Sequence, residues 1–156
     1  MARTRVCAVR FCAYTRAMKK IVSTKEAPAA VGPYSQAVRI GQMLFTAGQI
    51  PLNPETMQIE TQDISEQTRR VLDNLTAVLK AEGMDFNNIV KTTVFMTNLG
   101  DFVAMNEVYA SYFGDQPPAR STVQVSALPK GASVEIECIA VANRQGEGGK
   151  TVDVWE

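Results

Sequence analysis

At 156 residues with 46% hydrophobic side chains, the chain holds enough apolar material for one compact domain with its own core, and a disordered body is excluded. Sixteen basic residues balance sixteen acidic ones, which removes the strongly positive footprint of a nucleic-acid binder. With no histidine in the chain, Ser-His and Cys-His nucleophile systems and the commonest metal ligand are excluded together.

Residues 1–17 carry Arg3, Arg5, Arg10 and Arg16 and no acid, so this leader is +4 and the other 139 residues are −4. It is Arg-rich like an organelle transit peptide but lacks serine, and Met18 opens a run that reads as a natural start; an over-long gene start is the preferred reading over targeting. Cys7, Cys12 and Cys138 form an odd set without a C-x-x-C pair, which fits a reducing compartment and suggests neither a disulfide framework nor a zinc site. The expected location is cytoplasmic, with an organelle matrix as the alternative if the leader is a transit peptide. Because no apolar run approaches the roughly 18 residues of a bilayer span, a soluble protein is expected.

A short strand is predicted over 19–23, stopped by Pro28, Gly32 and Pro33. Runs 35–40 and 42–48 meet at Gly41 as a hairpin. Asp63 with Glu66 forms a capping-box pattern, and Ile64, Val71, Leu72, Leu75, Val78 and Leu79 make one apolar stripe at helical spacing that Gly83 ends. Residues 87–98 are rich in β-branched side chains and read as a strand. Phe102, Met105, Tyr109, Tyr112 and Phe113 then mark a second helix, closed by Gly114 and Pro117-Pro118. Runs 119–126 and 133–143 are the last strands, and the tail from 144 is Gly-rich and loose.

The order β, β, β, α, β, α, β, β supplies two helices for five or six strands, hence an α+β sandwich with both helices on one face of the sheet. Alternation in 133–141 puts Val134, Ile136, Cys138 and Ala140 on one side and Glu135, Glu137, Ile139 and Val141 on the other, with Cys138 a small core residue. A second face carrying Ile139 and Val141 beside carboxylates predicts an apolar patch that a further copy of the chain covers.

The tail GEGGKT imitates a P-loop, but that motif needs glycine where Arg144 stands, and it is discarded. Glu55, Glu60 and Asp63 lack metal-ligand spacing. Arg120 follows Pro117-Pro118-Ala119, so stiff backbone delivers a planar fork suited to a carboxylate at the start of a strand. A structural ion pair with Glu135 or Glu137 is an equally good reading of the residues alone. For Tyr34 in a Gly-Pro loop, Gly48 at a strand end and Asn106 on the second helix, ligand contact competes with aromatic packing, a bulge, and a cap or solvent-facing position respectively.

The segments APAAVGPYSQAV, LFTAGQIPLNPET, IVKTTVFMTNLGDF and PPARSTVQVSALPKGASVEIE resemble the RidA family, also called YjgF/YER057c/UK114, over residues 18–144. The resemblance implies a chorismate-mutase-like α+β domain over 18–144, with 1–17 and 145–156 outside it, assembled as a homotrimer with an inner barrel and ligand clefts between subunits. It implies hydrolysis of 2-aminoacrylate and related 2-imino acids to 2-oxo acids and ammonia, without metal or cofactor. Carried over by motif, Arg120 grips the substrate carboxylate and Glu135 handles water, while Tyr34, Gly48, Asn106 and Thr122 line the cleft with backbone near Ala119. Ala47 stands where many members have serine and Thr122 where many have cysteine. Arg120 is expected to hold Glu135 ionised at neutral pH. The alternatives are a non-catalytic trimer that binds 2-oxo acids and an RNA-cleaving or translation-inhibiting protein; nucleic acid and membrane are not expected partners.

Overall fold

The computed structural model describes residues 18–142. The basic leader with Cys7 and Cys12, Arg144, and the P-loop-like tail lie outside the described residues, as does the C-terminal limit drawn for the domain.

Strand β1 is Lys19–Val22, and β2 (Ala37–Ile40) and β3 (Met43–Thr46) form the expected hairpin. Ile40 pairs with Met43, leaving a two-residue turn whose first position, Gly41, has φ +59°, where glycine carries no Cβ penalty. Helix α1 (Ile64–Lys80) starts where the Asp63 carboxylate accepts the Glu66 backbone N–H at 2.9 Å. Its Val71, Leu72, Leu75, Val78 and Leu79 are fully buried, so truncating any of the leucines to alanine is expected to cost about 2–5 kcal/mol. Strand β4 (Ile89–Met96) follows a single 3₁₀ turn, α2 (Phe102–Ala110) follows another, and β5 (Ala119–Gln124) and β6 (Val134–Val141) close the chain. Helix α2 ends before Tyr112 and Phe113, which still pack on the core beside Phe86.

The six strands form one mixed sheet in the order β1-β2-β3-β6-β4-β5. The last two strands do not pair with each other, because β4 lies between them, antiparallel to β6 and parallel to β5. Two features of the chain account for this. The connection from β4 to β5 runs through α2, and such a crossover returns the chain parallel to the strand it left. Strand β6 is buried on alternate residues and half-buried on the rest, as an interior strand should be, whereas β5 is largely exposed and takes the edge.

Both helices pack on the face formed by Val134, Ile136, Cys138 and Ala140, with Leu44, Val94 and Met96 beside them. Burial raises the Cys138 thiol to about 11, so it stays protonated and serves as a small apolar residue. On the opposite face, cross-strand pairing aligns Ile21, Val38, Phe45 and Ile139 in one apolar row across four strands. Ile21 is 53% exposed and Phe45 38%, so this row has no cover among the described residues. No helix among the described residues is long and apolar enough to cross a membrane.

Candidate active site

The residues singled out from the sequence gather into two clusters. The first lies where β3 runs on into the loop Ala47–Ile50. Gln49 and Ile136 exchange backbone hydrogen bonds at 2.9 and 3.0 Å, and between this bridge and the Phe45–Ile139 pair three residues of one strand oppose two of β6. That extra residue is a β-bulge. The Thr46 hydroxyl fills the gap by accepting the Cys138 N–H at 2.9 Å. The bulge presses Gly48 against Glu135, and a Cβ at position 48 would sit on the carboxylate, 2.7 Å from its Cδ and closer still to Oε1. Glycine is therefore needed for the Glu135 carboxylate to lie where it does and not for the backbone, which has no positive φ there.

Gly48 also borders a cleft of about 260 Å³ shared with Tyr34, Gln36, Met57 and Lys130. The loop carrying Tyr34 is tied down by Gln36, whose amide donates to the carbonyls of Thr24, Ala27 and Pro28 and accepts from the Thr24 N–H at 2.6 Å. Gly32, at φ +123°, turns the chain so that the Tyr34 hydroxyl accepts the Val31 N–H at 3.4 Å. The tyrosine remains 54% exposed at the edge of this cleft.

The second cluster is on β5 and α2. Arg120 pairs across the sheet with Thr92 and thus points to the helix-covered side. Its guanidinium carbon lies 4.6 Å from the ring centre of Tyr109 and 5.5 Å from that of Phe102. Both distances are within cation–π range. The Tyr109 ring is itself fixed by a buried 2.7 Å hydrogen bond between its hydroxyl and that of Thr92. Burial raises the phenol above its ordinary range despite the lowering effects of Thr92 and Arg120, so it stays neutral under the cation. Phe102, Asn106 and Tyr109 follow one another at helical spacing, which puts Asn106 on the same face of α2, between the two rings. Two residues beyond Arg120, the Thr122 hydroxyl is buried and has no hydrogen-bond partner among the described residues. Leaving such a group unpaired costs about 1–3 kcal/mol.

The clusters do not meet within one chain. Glu135 pairs with Phe95 and faces the open side of the sheet, while Arg120 faces the helices, with β4 between their strands. The Arg120–Glu135 and Arg120–Glu137 ion pairs do not form, and among the described residues no carboxylate pairs with Arg120. The expectation that Arg120 keeps Glu135 ionised also fails within the chain. Burial and then the neighbouring Glu137 charge push the Glu135 carboxyl above its usual range.

Tyr109 and Phe102 were legible only as members of a helical stripe; their alignment with Asn106 at positions i, i+4 and i+7 was the available signal for a shared surface. Lys130 lies within the motif that carries the family resemblance but drew no role from it, and Met57 gave no signal that distinguished it from ordinary loop residues.

The family profile described as endoribonuclease L-PSP matches residues 24–142. The chain is a member of the RidA/YjgF family. A mouse relative of this family, 2-iminobutanoate/2-iminopropanoate deaminase, is 48% identical over 80% of this chain and 92% of its own. Two solved RidA-family structures share the fold. A candidate endoribonuclease of Thermotoga maritima superposes with a TM-score of 0.79 at 51% identity, covering 81% of this chain and all of its own. TdcF of E. coli, crystallised with bound serine, gives 0.76 at 46%, covering 80% of this chain and 99% of its own. The two helices and the mixed six-stranded sheet are therefore the family's α+β architecture.

Proposed function

We propose that this RidA-family chain hydrolyses 2-aminoacrylate and related 2-imino acids to 2-oxo acids and ammonia. The observation that carries the reading is Arg120: a partly buried guanidinium held on two aromatic rings, without a carboxylate partner among the described residues and beside an unsatisfied hydroxyl at Thr122. A cation so placed is preorganised for an anion with a second acceptor atom, and a 2-imino carboxylate is one. The mouse deaminase and the serine bound to TdcF support a small amino-acid-like ligand.

Enamine first becomes imine by protonation at carbon 3. Water then adds to carbon 2 as the C=N electron pair moves to nitrogen, giving a carbinolamine. Collapse of that intermediate forms C=O and expels ammonia. Glu135 would take the proton from the attacking water and return it to the leaving nitrogen, a general acid/base role worth roughly 10²–10⁴ in rate. Its raised carboxyl suits the return step. Arg120 and Asn106 would hold the substrate, with Thr122 as a second contact, and Tyr34 and Gly48 would border it opposite. The electrophilic imine carbon lets orientation and one carboxylate suffice without cofactor.

Because the two clusters face opposite sides of the sheet, a complete site requires the Arg120 cluster of one copy against the Glu135 cluster of another. A homotrimer that brings its open faces together as an inner barrel, with a chorismate-mutase-like arrangement, would do this and cover the row Ile21, Val38, Phe45 and Ile139. The endoribonuclease description of the family favours RNA as a rival substrate. Ten Lys and Arg against thirteen Asp and Glu over residues 18–142 weigh against a phosphate backbone.

The test uses an amino-acid oxidase to generate imine in place and measures ammonia release. Arg120→Ala is expected to abolish the added rate while circular dichroism and light scattering show an intact oligomer; unchanged turnover would refute the anchoring role. Glu135→Gln is expected to lower kcat more than it raises KM.

A further inference from the structure

Among the described residues only two that are not glycine have left-handed backbone: Met57 at φ +57° and Lys130 at φ +56°. They are bonded to each other, since the Lys130 ammonium donates to the Met57 carbonyl at 2.7 Å. Both also border the cleft that holds Tyr34 and Gly48. Each such conformation is strained for a residue with a Cβ, and strained residues persist where the surroundings over-determine them, characteristically at ligand clamps.

The rest of the loop explains why the bond matters. Residues 53–58 form a tight excursion between Leu52 and Ile59, which pair as a bridge. Asn53 closes it from inside, accepting the N–H groups of Glu55 and Thr56 and, through its backbone, that of Met57 at 2.8 Å. Asn74 of α1 holds the base by donating to the carbonyls of Ile50 and Leu52. The tip at Met57 is tied to the far wall of the cleft by Lys130.

We propose that Met57, held by Lys130, is a specificity determinant, forming one wall of a hydrocarbon subsite that receives the side chain of the 2-imino acid. This rests on the deaminase reading for the identity of the substrate. Val31, Ile50, Leu52, Met57 and Pro129 give the cleft its apolar lining, and Gly48 connects it to the Glu135 carboxylate. A substrate whose reacting carbon lies at Glu135 would therefore extend its variable end into this space. An apolar cavity of about 150 Å³ accommodates benzene, so about 260 Å³ is far more than the methyl group of 2-iminopropanoate fills and enough for a branched four-carbon chain. The unbranched, polarisable methionine side chain would adapt to chains of different shape. Lys130 is a positioning residue here: it contacts the Met57 carbonyl and acts through the loop.

The experiment compares imines derived from leucine and alanine in the hydrolysis assay, and, by titration calorimetry, the affinities of 4-methyl-2-oxopentanoate and pyruvate. A buried methylene is worth roughly a fourfold preference, so the wild type is expected to favour the leucine-derived ligand by roughly tenfold or more in both readouts. Met57→Gly, which keeps the left-handed backbone without strain, and Lys130→Met, which removes the donor, should each bring that ratio toward one. Lys130→Arg, which can still donate to the carbonyl, should restore it. A wild-type ratio near one, or a ratio unchanged in both variants, overturns the proposal. If calorimetry shows the preference and its loss in the variants while no hydrolysis is found, the subsite stands and the deaminase reading falls.

Discussion

Replacing Gly48 by alanine separates the position of the Glu135 carboxylate from everything else in the fold. The new methyl would coincide with the carboxylate, whose Cδ is 2.7 Å from the site the Cβ must occupy. Position 48 has no positive φ, so alanine brings no backbone strain, and the atoms that must yield are the far end of one flexible side chain. Forcing that side chain off its rotamer costs about 0.5–1.5 kcal/mol, which for a domain of this size corresponds to roughly 2–6 °C in Tm. The catalytic consequence is larger. A base displaced from its water loses most of a general acid/base contribution of roughly 10²–10⁴, equivalent to about 3–5 kcal/mol of barrier. Gly48→Ala should therefore fold, assemble and melt near the wild type while kcat falls by about 10²-fold or more. The decisive assay is a double-mutant cycle with Glu135→Gln: in that background the Gly48→Ala change should cost little further activity, because the group it displaces has already been disabled. Full activity in Gly48→Ala, or the same large loss in both backgrounds, would refute the coupling of Gly48 to Glu135.

Thr122→Val removes a buried hydroxyl that has no partner, so it is expected to stabilise the free protein by about 1 kcal/mol, a rise of roughly 2–4 °C in Tm, while weakening binding of 2-oxo acids measured by calorimetry. Tyr109→Leu takes away the ring beneath Arg120 and should raise KM by roughly 2- to 30-fold, whereas Tyr109→Phe keeps the ring and should restore most of that loss; steady-state kinetics on both variants decides. The acid limb of kcat/KM is expected to report Glu135, which must be ionised to accept a proton and whose ionisation burial and the Glu137 charge resist. Glu137→Gln removes one of those causes, so the limb should move to lower pH, and Glu135→Gln should abolish it.

The sequence carried the order of elements and the inward and outward alternation of β6, because burial periodicity and turn chemistry are local and each residue of Val134–Val141 obeys them independently. It carried Asp63 as the start of α1 and Gly41 as the hairpin turn for the same reason. The resemblance of four segments to the RidA family also pointed to Arg120, Glu135, Tyr34, Gly48, Asn106 and Thr122 as site residues.

Only the tertiary structure decided how those residues are distributed. Pairing between strands distant in sequence depends on the crossover through α2, which places β4 between β5 and β6 and turns Arg120 and Glu135 to opposite faces. The ion pair that sequence spacing allowed is thereby ruled out inside one chain, where burial and Glu137 rather than Arg120 set the direction of the Glu135 shift. The same long-range geometry brings a glycine under a carboxylate, a tyrosine ring under a guanidinium and a lysine onto the carbonyl of Met57. These contacts join residues dozens of positions apart or more, or an adjacent helix and strand whose relative position the packing sets, and no local pattern encodes them.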